Sequence, residues 1–425
     1  MEIDEKYCWK LKIYLIIIKT LLHKYLHISF AQAHKPWDWI NPLCMMILGV
    51  LSVACIYSAQ SYMGGTLWKA QIFWLSFGMG IYVLTSMMNY KFFLENAHLI
   101  YTLSIIALLL LWTPLGERRF NALRWLDFRY FNVQPSEMAK IGTLILISSI
   151  LARSKMGTVK DSFTVLAKVG ILFLLPILLI FLQPDLGSSL VFPPMVFALL
   201  YVSKLSGRFF ASAFAVFLFA VGILGWDIYN YHNFLEENEL NIIQDTGVYE
   251  QHSWVPLKDY QRNRILSFIA PDIVDPQGIG VSWNLRQSLI AVGTGGLAGK
   301  GHNQGTQAKL GYLPQSVAPN DFIFSVLAEE KGFLGASMVL ILYAIMALNS
   351  IRIAGLAKDR FGMLLTVGAA TLLIVHVFIN VGMTIGMMPI TGLPLPFLSY
   401  GGTFVLSCCF LQGLIQSVYR FRNDF

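Results

Sequence analysis

Apolar runs of about 18 residues or more recur along almost the whole chain, and this recurrence restricts the fold more than any other feature. Each run is long enough to cross about 30 Å of hydrocarbon as a helix. Of the 425 residues, 56% are hydrophobic and only 13% are charged, whereas about a quarter of the residues of a soluble domain are charged. Because lipid cannot satisfy the backbone of an open sheet, the sequence predicts an all-α polytopic membrane protein.

The hydropathy pattern predicts about ten transmembrane helices. They lie near residues 40–60, 67–88, 97–114, 137–152, 164–182, 187–204, 209–228, 322–349, 362–388 and 402–418. Residues 229–321, between the seventh and eighth spans, are too numerous for a simple connection. We therefore expect them to form a large extracytoplasmic loop.

The N-terminal stretch LKIYLIIIKTLLHKYLHISF is apolar but is interrupted by Lys19, His23, Lys24 and His27. Charge inside a bilayer is costly, so this stretch is a poor candidate for a span. We interpret residues 1–38 as a cytoplasmic or interfacial segment and residues 39–425 as the membrane domain.

The lysines and arginines predict how the bundle is oriented. If the N-terminus is cytoplasmic, the connections on that side contain Lys91, Arg153, Lys155, Lys160, Lys204, Arg208, Arg352, Lys358, Arg360, Arg420 and Arg422. This distribution follows the positive-inside rule. The net charge of +7 is therefore a sign of topology and gives no reason to expect nucleic-acid binding.

One connection on the opposite side departs from that rule. Between the third and fourth spans it contains Arg118, Arg119, Arg124 and Arg129. One interpretation pairs these arginines with Glu117 and Asp127 or with lipid phosphates. The other is a site for an anionic ligand, because the planar fork of arginine suits phosphate oxygens.

Three acidic groups are expected near the same outer face. The stretch QPSEMAK places Glu137 and Lys140 three residues apart on one helical face, either as a structural ion pair or as part of a site. The stretch QPDLGSSLVF places Asp185 before the sixth span, where a helix N-cap is the favoured interpretation. The stretch SVAPNDFIFSVLAEEKGFLG places Asp321 at the start of the eighth span.

The glycine-rich stretch AVGTGGLAGKGHNQGTQ does not fit a nucleotide site. A P-loop needs a glycine five residues before the Gly-Lys pair and Ser or Thr after it. Here Thr294 stands at the first position and Gly301 at the second. Metalloprotease HExxH and nucleophile-elbow GxSxG motifs are also absent from the sequence, and the five cysteines lack metal-binding spacing.

Four stretches in order resemble the SEDS family (shape, elongation, division and sporulation), the membrane-embedded peptidoglycan polymerases of bacteria. They are RWLDFRYFNVQPSEMAK, QPDLGSSL, the region from NLRQSLIAVGTGG to NDFIFSVLAEEKGFLG, and NVGMTIGMMPITGLPLPFLSYGGT, within residues 124–403. GKGHNQGTQ is more similar to the elongation (RodA) branch than to the division (FtsW) branch. The resemblance implies polymerisation of lipid II in the bacterial plasma membrane, on the extracytoplasmic face, in cell elongation and with a class B penicillin-binding protein as partner.

The resemblance also implies roles for individual residues. The family's essential aspartate precedes a Phe-Ile-Phe, which here is Asp321, and it would act as the base. The predicted substrate-binding residues are Arg118, Arg119, Arg124, Gln134, Glu137, Lys140 and Ser399, with the basic groups on the pyrophosphates. Glu137 would orient Lys140 or bind a divalent cation, Mg²⁺ or Mn²⁺.

Alternatives remain open beside the polymerase. A flippase for the lipid-linked precursor, a division-branch polymerase and a scaffold without chemistry would share much of the resemblance. Only an enzyme needs a base at the outer face, so the enzyme is favoured. The sequence LPQSVAPND before Phe322 departs from the family's pattern and puts the tuning of Asp321 in doubt. Glu329 and Glu330, two turns deeper, are expected to be polar anchors inside the bundle, with Lys331 or an arginine nearby.

Overall fold

A computed structural model describes residues 36–423 apart from 120–121, 130, 155–158, 184, 204–206, 239–246, 256, 272–274, 276–277, 279, 281 and 315. The expectation for residues 1–38 therefore lies almost entirely outside the described residues. The main helices are α1 Ile40–Gln60, α2 Leu67–Met87, α3 Ala97–Leu109, α4 Pro135–Arg153, α5 Val159–Leu182, α6 Phe192–Val202, α7 Gly207–Glu237, α8 Asp259–Ile269, α9 Trp283–Thr294, α10 Ile323–Leu356, α11 Arg360–Thr384 and α12 Gly402–Arg420.

The helices confirm the polytopic membrane fold. Within the described residues, eight helices are long and apolar enough to span a membrane: α1, α2, α4, α5, α7, α10, α11 and α12. Two shorter apolar segments, Ala97–Trp112 and Leu186–Val202, occupy the positions of the third and sixth predicted spans. The ten predicted spans thus correspond to ten helical segments. Asp321, Asp185 and the start of α4 consequently share one end of the bundle, called the site end below.

A small antiparallel sheet, which the hydropathy pattern did not predict, follows α3 at the site end. Its strands are β1 Gly116–Arg119, β2 Ala122–Asp127 and β3 Asn132–Val133, in that order. In the register of β1 and β2, Arg118 lies opposite Leu123 and Arg119 opposite Ala122. The sheet places Arg124 of β2 above the start of α4.

Three helices form the centre of the bundle. In the most apolar window of α4, 78% of the residues are buried, and α11 and α12 are similar, whereas only 11% are buried in α7. Close packing of α2 on α12 depends on glycines: a Cβ at Gly413 would lie 2.9 Å from the carbonyl oxygen of Tyr82, and one at Gly78 would lie 2.8 Å from Sγ of Cys409. Small residues at such contacts let membrane helices approach closely.

Arginines at the opposite end of the bundle cap helix C-termini. Arg360 donates to the carbonyl oxygens of Ser154 and Ser203, which follow α4 and α6. Arg420 donates to the carbonyl oxygen of Ser86 in α2. A cation at a helix C-terminus interacts favourably with the helix dipole. The basic residues expected on the cytoplasmic side therefore also satisfy helix ends.

The described part of the long loop between α7 and α10 is organised around one buried arginine. Arg262 of α8 is fully buried. Its guanidinium contacts Asp227 at 2.8 Å and Asp259 at 3.1 Å, and it lies 4.9 Å from the ring of Tyr249. Because both charges and donors are satisfied, this cluster holds α8 against the end of α7.

The glycine-rich segment (residues 293–305) packs against a break in α10. The break is at Gly332, whose φ is 64° and ψ −164°. Phe333 donates its N–H to the carbonyl oxygen of Gly296, and Lys300 donates its N–H to that of Glu329. A Cβ at Gly299 would lie 2.2 Å from the carbonyl oxygen of Glu330. Gly299 therefore allows the two backbones to pack closely.

Two buried carboxylates of α10 bind the same glycine-rich segment. Oε1 of Glu329 lies 2.6 Å from Nζ of Lys300 and accepts from the N–H of Thr306 at 2.8 Å. Glu330 accepts from the N–H of Asn303 at 3.1 Å and lies 3.4 Å from Nδ1 of His302. Both acidic residues are anchors, as expected. The cation in contact with Glu329 is Lys300 from the glycine-rich segment, which the sequence did not indicate.

Candidate active site

Asp321 lies in the turn just before α10 and does not cap that helix. The N-cap residue is Phe322, and no side chain there makes a capping hydrogen bond. Asn320, the competing cap candidate, instead donates to the carbonyl oxygen of Ser316. Helix capping therefore does not explain why an aspartate stands at this position.

The environment of Asp321 raises the pKa of its carboxyl toward neutral pH. Burial raises the pKa of its carboxyl from 3.8 to about 6, although Arg264 and Arg124 lower it; Asp185 raises it further. A carboxylate with a pKa of about 6 is suited to act as a general base at physiological pH. The effect of desolvation outweighs the two positive charges.

Two arginines from different elements approach Asp321. Arg124 comes from β2, and Arg264 comes from α8 in the long loop. Burial and the neighbouring charge of Arg124 lower the pKa of the Arg264 guanidinium. Two like charges are held together here at an electrostatic cost, which an anionic ligand would relieve. The pair is therefore a candidate anion-binding site beside the carboxylate.

Asp185 supports this pair from the turn before the sixth span. It caps the short helix Leu186–Leu190 by accepting from the N–H of Ser188, and its second oxygen accepts from the hydroxyl of Ser188 at 2.8 Å. The capping role expected for Asp185 is confirmed. Its Oδ1 also lies 3.7 Å from Nη2 of Arg124, so the cap partly compensates the arginine's charge.

Segment 391–400, between α11 and α12, packs against the turn that contains Asp321. Ser399 is fully buried; its hydroxyl donates to the carbonyl oxygen of Asn320 at 2.5 Å and accepts from the N–H of Leu395 at 2.8 Å. The N–H of Tyr400 donates to the carbonyl oxygen of Pro319. The hydroxyl of Ser399, a predicted substrate-binding residue, thus makes backbone contacts in this structure.

Glu137 and Lys140 form a buried ion pair with a third member. Both side chains are 3% exposed, and Nζ of Lys140 lies 2.7 Å from Oε1 of Glu137. Nζ also lies 3.0 Å from Nε2 of His376 in α11. Ser407 of α12 donates to Oε2 of Glu137 at 2.9 Å. The expected pairing on one helical face is confirmed, and His376 is an addition.

An apolar groove reaches this cluster from the side of the bundle. It has a volume of about 620 Å³ and is lined by Phe73 and Phe77 of α2, Met138 of α4, and Phe410 of α12. Glu137 and Ser407 are among its few polar lining residues. Such a groove suits an apolar chain.

The remaining predicted residues lie, by backbone position, on β1 or in the connection that leads from β2 to α4. Gln134 is the residue before α4 and is partly buried. Arg118 and Arg119 lie on β1, and their side chains lie outside the described part of the structure. Arg129 has a φ of 70° and is exposed.

Sequence reasoning missed Arg264, His376 and Asn380. Arg264 occurs in the stretch YQRNRI. Two arginines two positions apart point to different faces of a helix, and this spacing could have indicated that they have different surroundings. His376 and Asn380 are isolated polar residues in an apolar helix. Such residues are functional candidates in a membrane protein.

The expected divalent cation has no prepared site among the described residues, where no group of three or more His, Cys, Asp or Glu side chains could hold a metal ion. Both oxygens of Glu137 are engaged by Lys140 and Ser407. The residues present therefore do not fit a resident ion. The cation requirement stays a prediction, and no step below depends on it.

Fold and site together define a multi-pass helical membrane protein with a carboxylate and two arginines at one end of its bundle. A profile of the family described as "Cell cycle protein" (FtsW, RodA and SpoVE) matches residues 38–424. The chain belongs to this family, which confirms the resemblance of its four motifs.

Individual relatives agree with the assignment. The chain is 30% identical to "Peptidoglycan glycosyltransferase RodA" of Treponema pallidum, over 90% of this chain and 97% of that protein. It is 32% identical to "Peptidoglycan glycosyltransferase MrdB" of Escherichia coli K12, over 91% and 96%. A solved structure reported as "Structural coordination of polymerization and crosslinking by a peptidoglycan synthase complex" is 26% identical, covers 92% of this chain and 99% of its own, and has a TM-score of 0.71.

Proposed function

We propose that this protein is a peptidoglycan glycosyltransferase of the RodA type, which polymerises glycan strands from lipid II during cell elongation. The observation that carries the proposal is the position of Asp321, a carboxylate of raised pKa beside Arg264 and Arg124. Its membrane would be the bacterial plasma membrane, with the site end extracytoplasmic. The relatives named as peptidoglycan glycosyltransferases support this assignment.

The reaction proceeds by a single inverting displacement. The acceptor sugar hydroxyl attacks the anomeric carbon of the donor, and the bond from that carbon to the pyrophosphate oxygen breaks. Asp321 accepts the hydroxyl proton as the new glycosidic bond forms. The electron pair of the broken bond leaves with the undecaprenyl pyrophosphate. A strong general acid is not needed, since pyrophosphate is a good leaving group once its charge is compensated.

Arg264 and Arg124 supply that compensation. Guanidinium groups bind phosphate oxygens through paired N–H donors. Charge that develops on the leaving group is stabilised most effectively by donors already in place. We assign Arg118, Arg119 and Gln134 to the rim of the same anion site, where they would contact the second pyrophosphate or the sugars.

The apolar groove between α2, α4 and α12 accommodates part of the lipid tail. Its walls are apolar and its volume of about 620 Å³ is in the range of small-molecule sites. Glu137 lines this groove and pairs with Lys140, so the pairing would keep that part of the groove wall neutral. A tail in this groove would direct the pyrophosphate toward the arginines.

The decisive experiment is polymerisation of labelled lipid II by the purified protein, with and without a class B penicillin-binding protein. Glycan strands formed by the wild type and lost in Asp321→Asn support the proposal. Transport of lipid II across vesicles without any polymerisation would favour the flippase instead. Strands formed only with the partner present would add that the two proteins act as a complex.

A further inference from the structure

Helix α11 presents two buried polar side chains one turn apart, and both contact the backbone of segment 391–400. His376 is 4% exposed and Asn380 is fully buried. Nδ1 of His376 lies 3.3 Å from the carbonyl oxygen of Pro394, and Nδ2 of Asn380 donates to that of Leu393 at 2.7 Å. Residues four apart share a helix face, so the two side chains contact two successive carbonyl groups.

Each side chain also contacts one part of the candidate site. An ammonium group can only donate, so Nε2 of His376 accepts from Lys140 across 3.0 Å. The ring proton of the neutral tautomer is then on Nδ1, where it is directed to Pro394. Asn380 uses the same amide nitrogen to donate to the main-chain carbonyl of Asp321 at 2.9 Å. The buried ion pair and Asp321 are thereby joined to one peptide segment.

Packing alone does not account for the amide at position 380. Among the described residues, its acceptor atom Oδ1 is buried without a hydrogen-bond partner. A buried unpaired polar atom costs free energy, which an apolar side chain of similar size would avoid. The two donated hydrogen bonds are what an asparagine adds here.

We propose that His376 and Asn380 are positioning residues, which couple the Glu137–Lys140 pair to Asp321 through the successive carbonyl groups of Leu393 and Pro394. The inference rests on the proposed function, because Asp321 is the base only in that reaction. Neither residue touches the substrate. A base displaced by about 1 Å can lose as much as a hundredfold in rate, so loss of either contact should lower turnover while substrate binding persists.

The test compares four single variants in lipid II polymerisation by the full-length protein with its partner. His376→Leu and Asn380→Leu should each lower kcat about tenfold or more, with KM within about twofold of wild type. His376→Gln retains an acceptor for Lys140 and a donor for Pro394, so it should recover most of the turnover. Thr366→Val is the matched control: Thr366 is fully buried in α11, and its hydroxyl has no partner among the described residues.

A double variant measures the coupling. His376→Leu combined with Asn380→Leu should be little slower than the slower single variant, because both act through the same short segment, Leu393–Pro394; independent effects would multiply. The inference would be overturned if the losses in kcat of the two leucine variants multiply, or if their kcat values lie within twofold of that of Thr366→Val. In both cases the wild type would still be active. A loss confined to KM would overturn the inference as well.

Two further outcomes are separable. A wild type that forms no glycan strands refutes the proposed function itself. If the leucine variants fail to accumulate, Asn380→Asp keeps the shape of the side chain and removes its amide donor. The same kcat criterion against Thr366→Val then decides the inference.

Discussion

Nη2 of Arg124 lies 3.7 Å from Oδ1 of Asp185, beyond hydrogen-bond distance, and this carboxylate already caps a short helix. Asp185 therefore compensates the charge of Arg124 at a distance. Arg264 influences the same carboxylate, Asp321, that Arg124 approaches. Under the proposed function, an incoming pyrophosphate would bind both arginines, which would account for arginines on the extracytoplasmic side.

Replacing Asp321 with Asn should abolish turnover while leaving the fold intact. The two side chains have the same shape, and the start of α10 has no side-chain cap to lose. A positioned general base usually contributes about a hundredfold or more to the rate. We expect that loss in lipid II polymerisation at equal protein level. Retention of more than about a tenth of the wild-type rate would rule out Asp321 as the essential base.

Glu329→Gln is the contrast to that variant. Glu329 lies deeper in α10, where it holds Lys300 and the N–H of Thr306. Removing its charge leaves Lys300, which is partly exposed, without its counter-ion. We expect lower thermal stability or poorer assembly before any effect on turnover, as measured by melting in detergent alongside the polymerisation rate. A fully stable but inactive Glu329→Gln would contradict the anchoring role.

The pH profile should report the raised pKa of Asp321. The pKa of its carboxyl is about 6, and only the ionised form accepts a proton. The value of kcat/KM should therefore be level above about pH 7 and fall about tenfold per pH unit below about pH 6. Measurements from pH 5 to 8 decide the point. The residual activity of Asp321→Asn should lack this acidic limb, and a wild-type profile level down to about pH 4.5 would contradict the assignment.

The arginine loop offers a matched pair of variants. Arg124→Ala should lower kcat/KM for lipid II about tenfold or more, because a charge-assisted hydrogen bond contributes about 1.5–3 kcal/mol. Arg129, which is exposed on the same connection, should tolerate alanine with near-wild-type activity. If both variants polymerise lipid II as fast as the wild type, the interpretation that these arginines pair with lipid or with neighbouring carboxylates would be favoured instead.

The spans and the reacting carboxylate were predictable because each leaves a local signal. Ten apolar runs gave ten helical segments, and Asp321 stands next to a family motif. Lys300, by contrast, pairs with Glu329 across 29 residues of chain, and chain spacing carries no information on such a contact. Short strands in a polar connection likewise have no hydropathy signal, so the sheet that places Arg124 was not predicted.

The missed site residues illustrate the same limit. Arg262 and Arg264 look alike in YQRNRI, yet one is fully buried among acidic groups and the other approaches Asp321. Only the position of α8 distinguishes them. The contact of His376 with Lys140 of another helix, at 3.0 Å, likewise leaves no signal in the sequence.

Reporter fusions should confirm the orientation of the bundle. We expect residues 153–163 and 350–361 in the cytoplasm, and residues 116–134 and 229–320 outside. The arginines that cap helix C-termini lie at the expected cytoplasmic end, in agreement with the positive-inside rule. A reporter placing the connection before Asp321 in the cytoplasm would refute the proposed mechanism, since this lipid-linked substrate is polymerised outside.

The break in α10 yields a prediction about stability. Gly332 has a φ of 64° and a ψ of −164°, a region that is essentially restricted to glycine. A Cβ there would lie 2.3 Å from the backbone nitrogen of Gly299, so the glycine-rich segment would have to move. Gly332→Ala should cost about 1–3 kcal/mol in backbone strain alone and lower the melting temperature in detergent.

Gly293→Ala is the control for that variant, because a Cβ at Gly293 meets no atom within 4 Å. Gly293 lies inside α9, where alanine has the better helix propensity by about 1 kcal/mol, so its melting temperature should stay level or rise. If Gly332→Ala has the same melting temperature as Gly293→Ala, the packing of the glycine-rich segment does not stabilise the break. If Gly332→Ala melts lower and also loses polymerisation, the break is needed to hold α10 and, at its start, Asp321.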